Sequence, residues 1–205
     1  MPAVRSLLRF VPVALVLTAA CAGAKDKAEA AITRAEQAIA AVAPDAGKIL
    51  PFEVQQLTDA VSAARDTLAK GDVAAALAAV ADLPNRAKEL APKVAAERAQ
   101  LTAELDTLGF AMKRNLAGIQ AKLDEFAKSK RPPKGLDAAK LATVKETLAS
   151  GTREWAEITT DIQAGNLASA FGKGTVLRLK VSEALLAVGL VADDPAWHNL
   201  TLPPK

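Results

Sequence analysis

The feature that most constrains this chain is the spacing of its apolar residues, which alternates between three and four positions over most of its length. The longest uninterrupted series comprises Leu101, Leu105, Leu108, Met112, Leu116, Ile119, Leu123 and Phe126. An apolar stripe with this spacing becomes buried when helices pack side by side. The sequence therefore predicts an all-α protein, built as an antiparallel helical bundle of about six helices.

The helix boundaries are predicted from glycine, proline and capping residues. The predicted segments are 26–43, 52–70, 73 onward, 93–130, 141–162 and 167–188. Pro44 and Gly47 are expected to end the first helix, and Pro84 and Pro92 to bend or restart the third. Gly71 is a natural helix stop, and Asp72 is a natural N-cap for the helix that follows it.

Two segments of the chain echo each other at an offset of 94 residues. TLAKGDVAAAL (67–77) aligns without gaps with DIQAGNLASAF (161–171). In each, glycine is predicted to close one helix and Asp or Asn to open the next. The bundle, residues 26–192, is therefore predicted to hold a pseudo-repeat (26–92 and 112–191), with two three-helix units sharing a long central helix. One continuous up-and-down bundle with two similar turns is the alternative, and an irregular tail is predicted at 193–205.

The N-terminus has the composition of an export signal. Residues 1–9 carry Arg5 and Arg9 without an acidic residue, and residues 10–20, FVPVALVLTAA, are uncharged. An apolar stretch of this length fits a secretory signal and is too short to span a membrane. We therefore expect residues 1–20 to be a signal peptide.

The end of that signal contains the only cysteine of the chain. Thr18-Ala19-Ala20-Cys21 resembles the lipobox of bacterial lipoproteins, although leucine stands at position 17 rather than 18. The resemblance implies cleavage before Cys21, a diacylglycerol thioether and an N-acyl group on that residue, and a tether at 21–25. It also implies outer-membrane sorting in a Gram-negative host, since Ala22 is not aspartate. The alternative is ordinary cleavage after Ala24, at the A-x-A site formed by residues 22–24.

Several kinds of chemistry find little support in the sequence. Without the leader the chain has 24 basic and 23 acidic residues, so the sequence does not favour nucleic-acid binding. The single histidine, His198, lies with Asp193 and Asp194 in the tail, and no metal or cofactor site is predicted. The row formed by Glu154, Glu157 and Asp161 is expected to be a solvated face rather than an acid–base pair. The sequence thus predicts no catalytic residue and no enzyme.

The basic cluster, the two tryptophans and two of the glycines each have a structural interpretation, and some also have a binding one. The basic cluster of Lys128, Lys130, Arg131 and Lys134 fits helix capping, with anionic lipid or cell-wall polymer as an alternative. Trp155 is expected in the core, and Trp197 is expected to pack against the bundle. Gly151 and Gly174 are predicted to allow close helix packing, or alternatively to open a ligand cavity.

These features predict a lipid-anchored extracytoplasmic helical protein. Its expected role is that of a non-enzymatic binding or scaffold module at the cell envelope. It would be held to the membrane through Cys21 and would bind an envelope protein or cell-wall partner. The alternatives are a carrier of a small apolar ligand or lipid, and a freely secreted helical protein.

Overall fold

A computed structural model describes residues 13–129, 136–192 and 197, with side chains from residue 23 onward. Every element in these ranges is an α-helix: α1 (Val13–Ile49), α2 (Pro51–Ala69), α3 (Val73–Val80), α4 (Leu83–Ser129), α5 (Ala138–Gln163) and α6 (Leu167–Ala187). No strand occurs in the described part of the chain. The predicted all-α class is confirmed.

The prolines affect the helices less than the sequence predicts. Pro44 lies inside α1 and Pro92 inside α4, so the expected helix end near residue 43 and the expected restart of a helix at Pro92 are wrong. Proline removes one backbone hydrogen bond from a helix. Buried side chains lie close by, Ala46 beyond Pro44 and Val94 beyond Pro92, and their burial favours continued helix despite that loss. Pro84 is in the first turn of α4. A backbone N–H at this position has no acceptor within the helix, so proline costs no hydrogen bond there.

The two echoed segments form the same kind of turn, as predicted. Gly71 and Gly165 have φ angles of 88° and 76°, in the left-handed region that glycine tolerates. At each turn the residue after glycine donates its N–H to a carbonyl five residues back, Asp72 to Thr67 and Asn166 to Asp161, which satisfies an open end of the preceding helix. Helix α2 packs on α3, and α5 packs on α6.

The caps that open the following helices differ between these turns. The Asp72 side chain accepts a hydrogen bond from the N–H of Ala75 at 3.0 Å, so the predicted cap of α3 is confirmed. Asn166 stands at the equivalent position of α6, but its side chain makes no capping bond. It hydrogen-bonds Asp161 instead, so the first turn of α6 lacks the expected cap.

The chain divides into two compact units. Among the described residues, the first unit contains 13–47 and 51–92, and the second contains 48–50, 93–129, 136–192 and 197. The core of the first unit is small and aliphatic: Ile32, Ala35, Ile39, Leu57, Val61, Ala64, Leu68, Ala76, Val80, Leu83, Ala87 and Leu90. The core of the second contains larger side chains: Leu101, Leu105, Leu108, Met112, Leu116, Ile119, Val144, Ile158, Phe171, Leu177, Val181 and Trp197.

Candidate functional site

The glycines of the second unit make room for large side chains. A Cβ atom added at Gly174 would lie 2.7 Å from Leu108 Cδ2, closer than van der Waals contact permits. An added Cβ at Gly109 would lie 3.1 Å from Trp155 Cζ2. Trp155, predicted to be core, is half-buried beside these two glycines. Its indole ring therefore packs where α4 and α6 present no side chain.

Gly151 is also surrounded by apolar side chains. A Cβ added there would lie 3.4 Å from Leu116 Cδ2 and 3.6 Å from Leu177 Cδ1. The predicted close packing at Gly151 and Gly174 is confirmed. The alternative, that these glycines open a ligand cavity, is wrong because leucine side chains fill the space beside both of them.

The acidic row on α5 is engaged with lysines of α6. Asp161 Oδ2 lies 2.7 Å from Lys173 Nζ, and both carboxylate oxygens of Glu154 lie 3.0 Å from Lys180 Nζ. Hydrogen bonding to Lys173 holds the pKa of Asp161 below its ordinary value, and the same bond raises the pKa of Lys173. Two of the three acidic residues thus join neighbouring helices, and Glu157 is exposed.

The Asp161–Lys173 pair predicts a stability effect confined to a defined pH range. The lowered pKa of Asp161 makes its contribution present above pH 3.8 and lost as pH falls through the folded-state pKa. The raised pKa of Lys173 keeps its contribution present below pH 10.5 and lost as pH rises further. In a Lys173→Met variant we expect the pKa of Asp161, measured by carboxyl NMR, to return towards 3.8.

The control for this prediction is Lys128→Met, because Lys128 is not among the groups that shift the pKa of Asp161. It should leave the Asp161 titration unchanged. The stability difference between wild type and Lys173→Met should disappear at acidic pH. An unchanged Asp161 pKa in Lys173→Met would show that the pair does not persist in solution.

Trp197 anchors the end of the described chain to α6. Its side chain is 1% exposed, and its Nε1–H donates to Ser182 Oγ at 2.9 Å. Its backbone carbonyl accepts a hydrogen bond from Arg178, and Ser182 donates to the Arg178 carbonyl. The prediction that Trp197 packs against the protein is confirmed. The sequence did not indicate its partners, since nothing in the spacing links position 197 to positions 178 and 182.

Two buried nitrogen donors in the second unit were also not predicted. Asn115 Nδ2 and Arg178 Nε have no hydrogen-bond partner among the described residues. Asn115 is 6% exposed and occupies a position on the otherwise apolar inner side of α4.

The first unit has a shallow pocket on its surface. Its volume is about 440 Å³, and it is lined by Ala31, Arg34, Leu77, Ala78, Val80, Ala81 and Pro84. Arg34 supplies the only charged group in this lining. The pocket therefore offers a small apolar surface beside one guanidinium group, without a neighbouring acid, base or nucleophile among its lining residues.

The outer side of α6 carries apolar side chains that no described residue covers. Val176, Leu179 and Leu186 are 55%, 57% and 66% exposed. Covering these side chains with another molecule would be favourable. Exposed apolar groups that share one helix face are typical of contact surfaces. Gly172, on the same side of the helix, has no atom within 4 Å of an added Cβ.

Several predicted features fall partly or wholly outside the described residues. Cys21 lies within the helical backbone of α1, but its side chain is not described. Lys130, Arg131, Lys134, Asp193, Asp194 and His198 are likewise outside, and Lys128 is exposed near the end of α4. In the described ranges no group of three His, Cys, Asp or Glu side chains is placed to hold a metal ion. No described helix has the length and hydropathy needed to cross a membrane.

Comparisons with protein-family models, with curated proteins and with solved structures found no match to this chain.

Proposed function

We propose that this chain is a lipid-anchored extracytoplasmic protein that acts as a non-enzymatic binding or scaffold module at the cell envelope. The observation that carries the proposal is Cys21, the only cysteine, placed at the end of an uncharged segment that follows two arginines. A lone exported thiol cannot form an internal disulfide, whereas lipidation requires a cysteine at this position.

The helical surface supports a binding role better than a catalytic one. The acidic residues that could act in proton transfer, Asp161 and Glu154, are each bound to a lysine of the neighbouring helix. Among the exposed side chains of α6 are three large apolar ones, Val176, Leu179 and Leu186. A partner at the envelope would gain binding free energy from covering such a face.

The start of α1 bears on how closely the protein would lie to the membrane. Residues 21–25, predicted as a short tether, are helical in backbone. Helical residues rise 1.5 Å each, so these five residues would span about 7 Å rather than about 17 Å. The first buried side chain of the described part of α1 is Ala28. A Cys21 anchor would therefore hold the helices close to the lipid surface.

We also infer that the helices form an antiparallel bundle in two three-helix units joined through α4. Two observations support this arrangement: the boundary between the compact units falls within α4, at Pro92, and the two echoed hairpins have matching hydrogen bonds. Hydrogen exchange tests it, because each unit should then lose protection as a cooperative group.

The test of the anchor is a membrane-partition experiment in the bacterial host. Wild-type protein should sediment with membranes, resist high salt and enter solution only with detergent, because acyl chains hold it there. Cys21→Ser should lack the acylated form: it should either be released into solution or remain as the longer, uncleaved precursor, which gel mobility distinguishes from the mature protein.

The matched control is Ala24→Asp, which disrupts the A-x-A site without changing Cys21. Membrane attachment should be unaffected by it. If Ala24→Asp blocks processing while Cys21→Ser behaves as wild type, the chain is secreted by ordinary cleavage and the proposed anchor is wrong.

A further inference from the structure

The surface pocket of the first unit takes its lining from three helices. Ala31 and Arg34 belong to α1, Leu77, Ala78 and Val80 to α3, Ala81 follows α3, and Pro84 lies in the first turn of α4. We name this site the α1–α3 pocket. Helix α3 has the sequence VAAALAAV, and its short alanine side chains leave space that longer ones would fill. The volume of about 440 Å³ lies within the range of small-ligand pockets, about 300–1,000 Å³.

The lining of the α1–α3 pocket is apolar except at Arg34. Its other members are alanine, leucine, valine and proline, whose side chains cannot form hydrogen bonds. A peptide or a sugar placed against them would lose hydrogen bonds to water without replacing them, which is unfavourable. A hydrocarbon chain would instead gain free energy from leaving water. The lining therefore favours a ligand with an alkyl body.

Arg34 brings a positive charge to the α1–α3 pocket. No carboxylate in the described part of the chain forms an ion pair with it, and its neighbours three and four positions away on α1 are alanines and a glutamine. The carboxylate of Glu36 is held by Arg65, at 2.7 and 2.8 Å. Asp82, beside the lining in sequence, accepts a hydrogen bond from Asn85. The guanidinium of Arg34 is therefore open to an anion from outside the chain.

We propose that the α1–α3 pocket binds a single-chain anionic amphiphile of the fatty-acid class. The carboxylate binds Arg34, whose guanidinium can donate two parallel hydrogen bonds to it, and the alkyl chain lies along the apolar lining. The pocket is shallow, and its volume suits one alkyl chain rather than the two of a phospholipid. Binding should be weak, with a Kd of roughly 0.1–1 mM. This inference does not depend on the lipid anchor at Cys21.

Titration with decanoate tests the proposal in the full chain carrying Cys21→Ser, which has no acyl group of its own. Methyl NMR follows Leu77 and Val80, which line the pocket. We expect saturable shifts of these methyl signals with decanoate below its micelle concentration. Acetate tests the anion alone, and decyl maltoside tests the same alkyl chain with a neutral head group. Acetate should cause no saturable shift, and decyl maltoside should bind about fivefold more weakly than decanoate.

Ala78→Glu is the sharpest variant, because its carboxylate would pair with Arg34 inside the pocket and repel decanoate. Saturable binding should be lost. The matched control is Ala79→Glu, the same change at the next residue of α3, which is exposed and outside the lining, and it should bind as wild type does. Arg34→Gln should weaken binding about fivefold, whereas Arg153→Gln, at an exposed arginine of α5, should have no effect. Circular dichroism checks that all four variants keep their helical content.

Three results would overturn the proposal: no saturable shift at Leu77 or Val80, equal affinity for decanoate and decyl maltoside, or indistinguishable binding by the two glutamate variants. Binding of phosphatidylglycerol vesicles that depends on Arg34, without binding of decanoate, would also contradict it. That result would assign this surface to a lipid bilayer instead.

Discussion

Gly174→Leu should destabilise this protein by about 3 kcal/mol, while the same substitution two residues earlier, at Gly172, should be neutral or stabilising. Both glycines lie inside α6, so both substitutions raise helix propensity by up to about 1 kcal/mol. The difference lies in the space around them. A Cβ at Gly174 meets Leu108 Cδ2 at 2.7 Å, whereas a Cβ at Gly172 meets nothing within 4 Å.

The clash at Gly174 is costly because its neighbours cannot move away easily. Leu108 is fully buried, and the Trp155 ring lies 3.9 Å from the added Cβ. Urea denaturation of the two variants measures the difference in unfolding free energy directly. Equal stability of the two variants would show that α4 and α6 pack less closely than the structure indicates.

Trp197→Ala should cost about 3 kcal/mol, although residue 197 lies only eight positions from the C-terminal Lys205. The side chain is 1% exposed, and its removal leaves Ser182 Oγ without the indole donor. Without the buried ring, the backbone carbonyl of residue 197 is also no longer held in place to accept the hydrogen bond from Arg178. For a chain of this size, the loss corresponds to a fall in Tm of roughly 6–12 °C.

Trp197→Phe keeps part of the packing and removes the hydrogen bond. It retains a buried six-membered ring and loses the five-membered part of the indole with the Nε1–H that donates to Ser182, so the expected cost is about 1–2 kcal/mol. Thermal unfolding followed by circular dichroism measures both variants. If the alanine and phenylalanine variants lose the same stability, the hydrogen bond rather than ring burial holds this segment in place.

Local signals in the sequence predicted the turns of this fold. Glycine followed by Asp or Asn specifies the backbone of the hairpins at Gly71 and Gly165, because only glycine adopts a positive φ at little cost. Long apolar stripes likewise predicted the buried residues of α4. The prolines at 44 and 92 were misleading because tertiary burial outweighs the loss of one helical hydrogen bond.

The sites that depend on distant residues could not be predicted in this way. The Trp197 anchor joins residues 15 and 19 positions apart through a carbonyl and a hydroxyl that no periodicity reveals. The exposed apolar side of α6 could not be predicted for another reason. Its apolar residues share α6 with an inner stripe, and only the exposed fraction of Val176, Leu179 and Leu186 distinguishes the two sides. The functional proposal at Cys21, in contrast, rests on the sequence of the leader alone.

The most direct test of the proposed function is the intact mass of the mature protein purified from membranes, measured beside a Cys21→Ser variant. We expect a chain that begins at Cys21 and carries a diacylglycerol thioether and an N-acyl group, and we expect the variant to lack this species. A chain that begins at Lys25, with the same mass in both proteins, would contradict the lipid anchor and make the protein a freely secreted one.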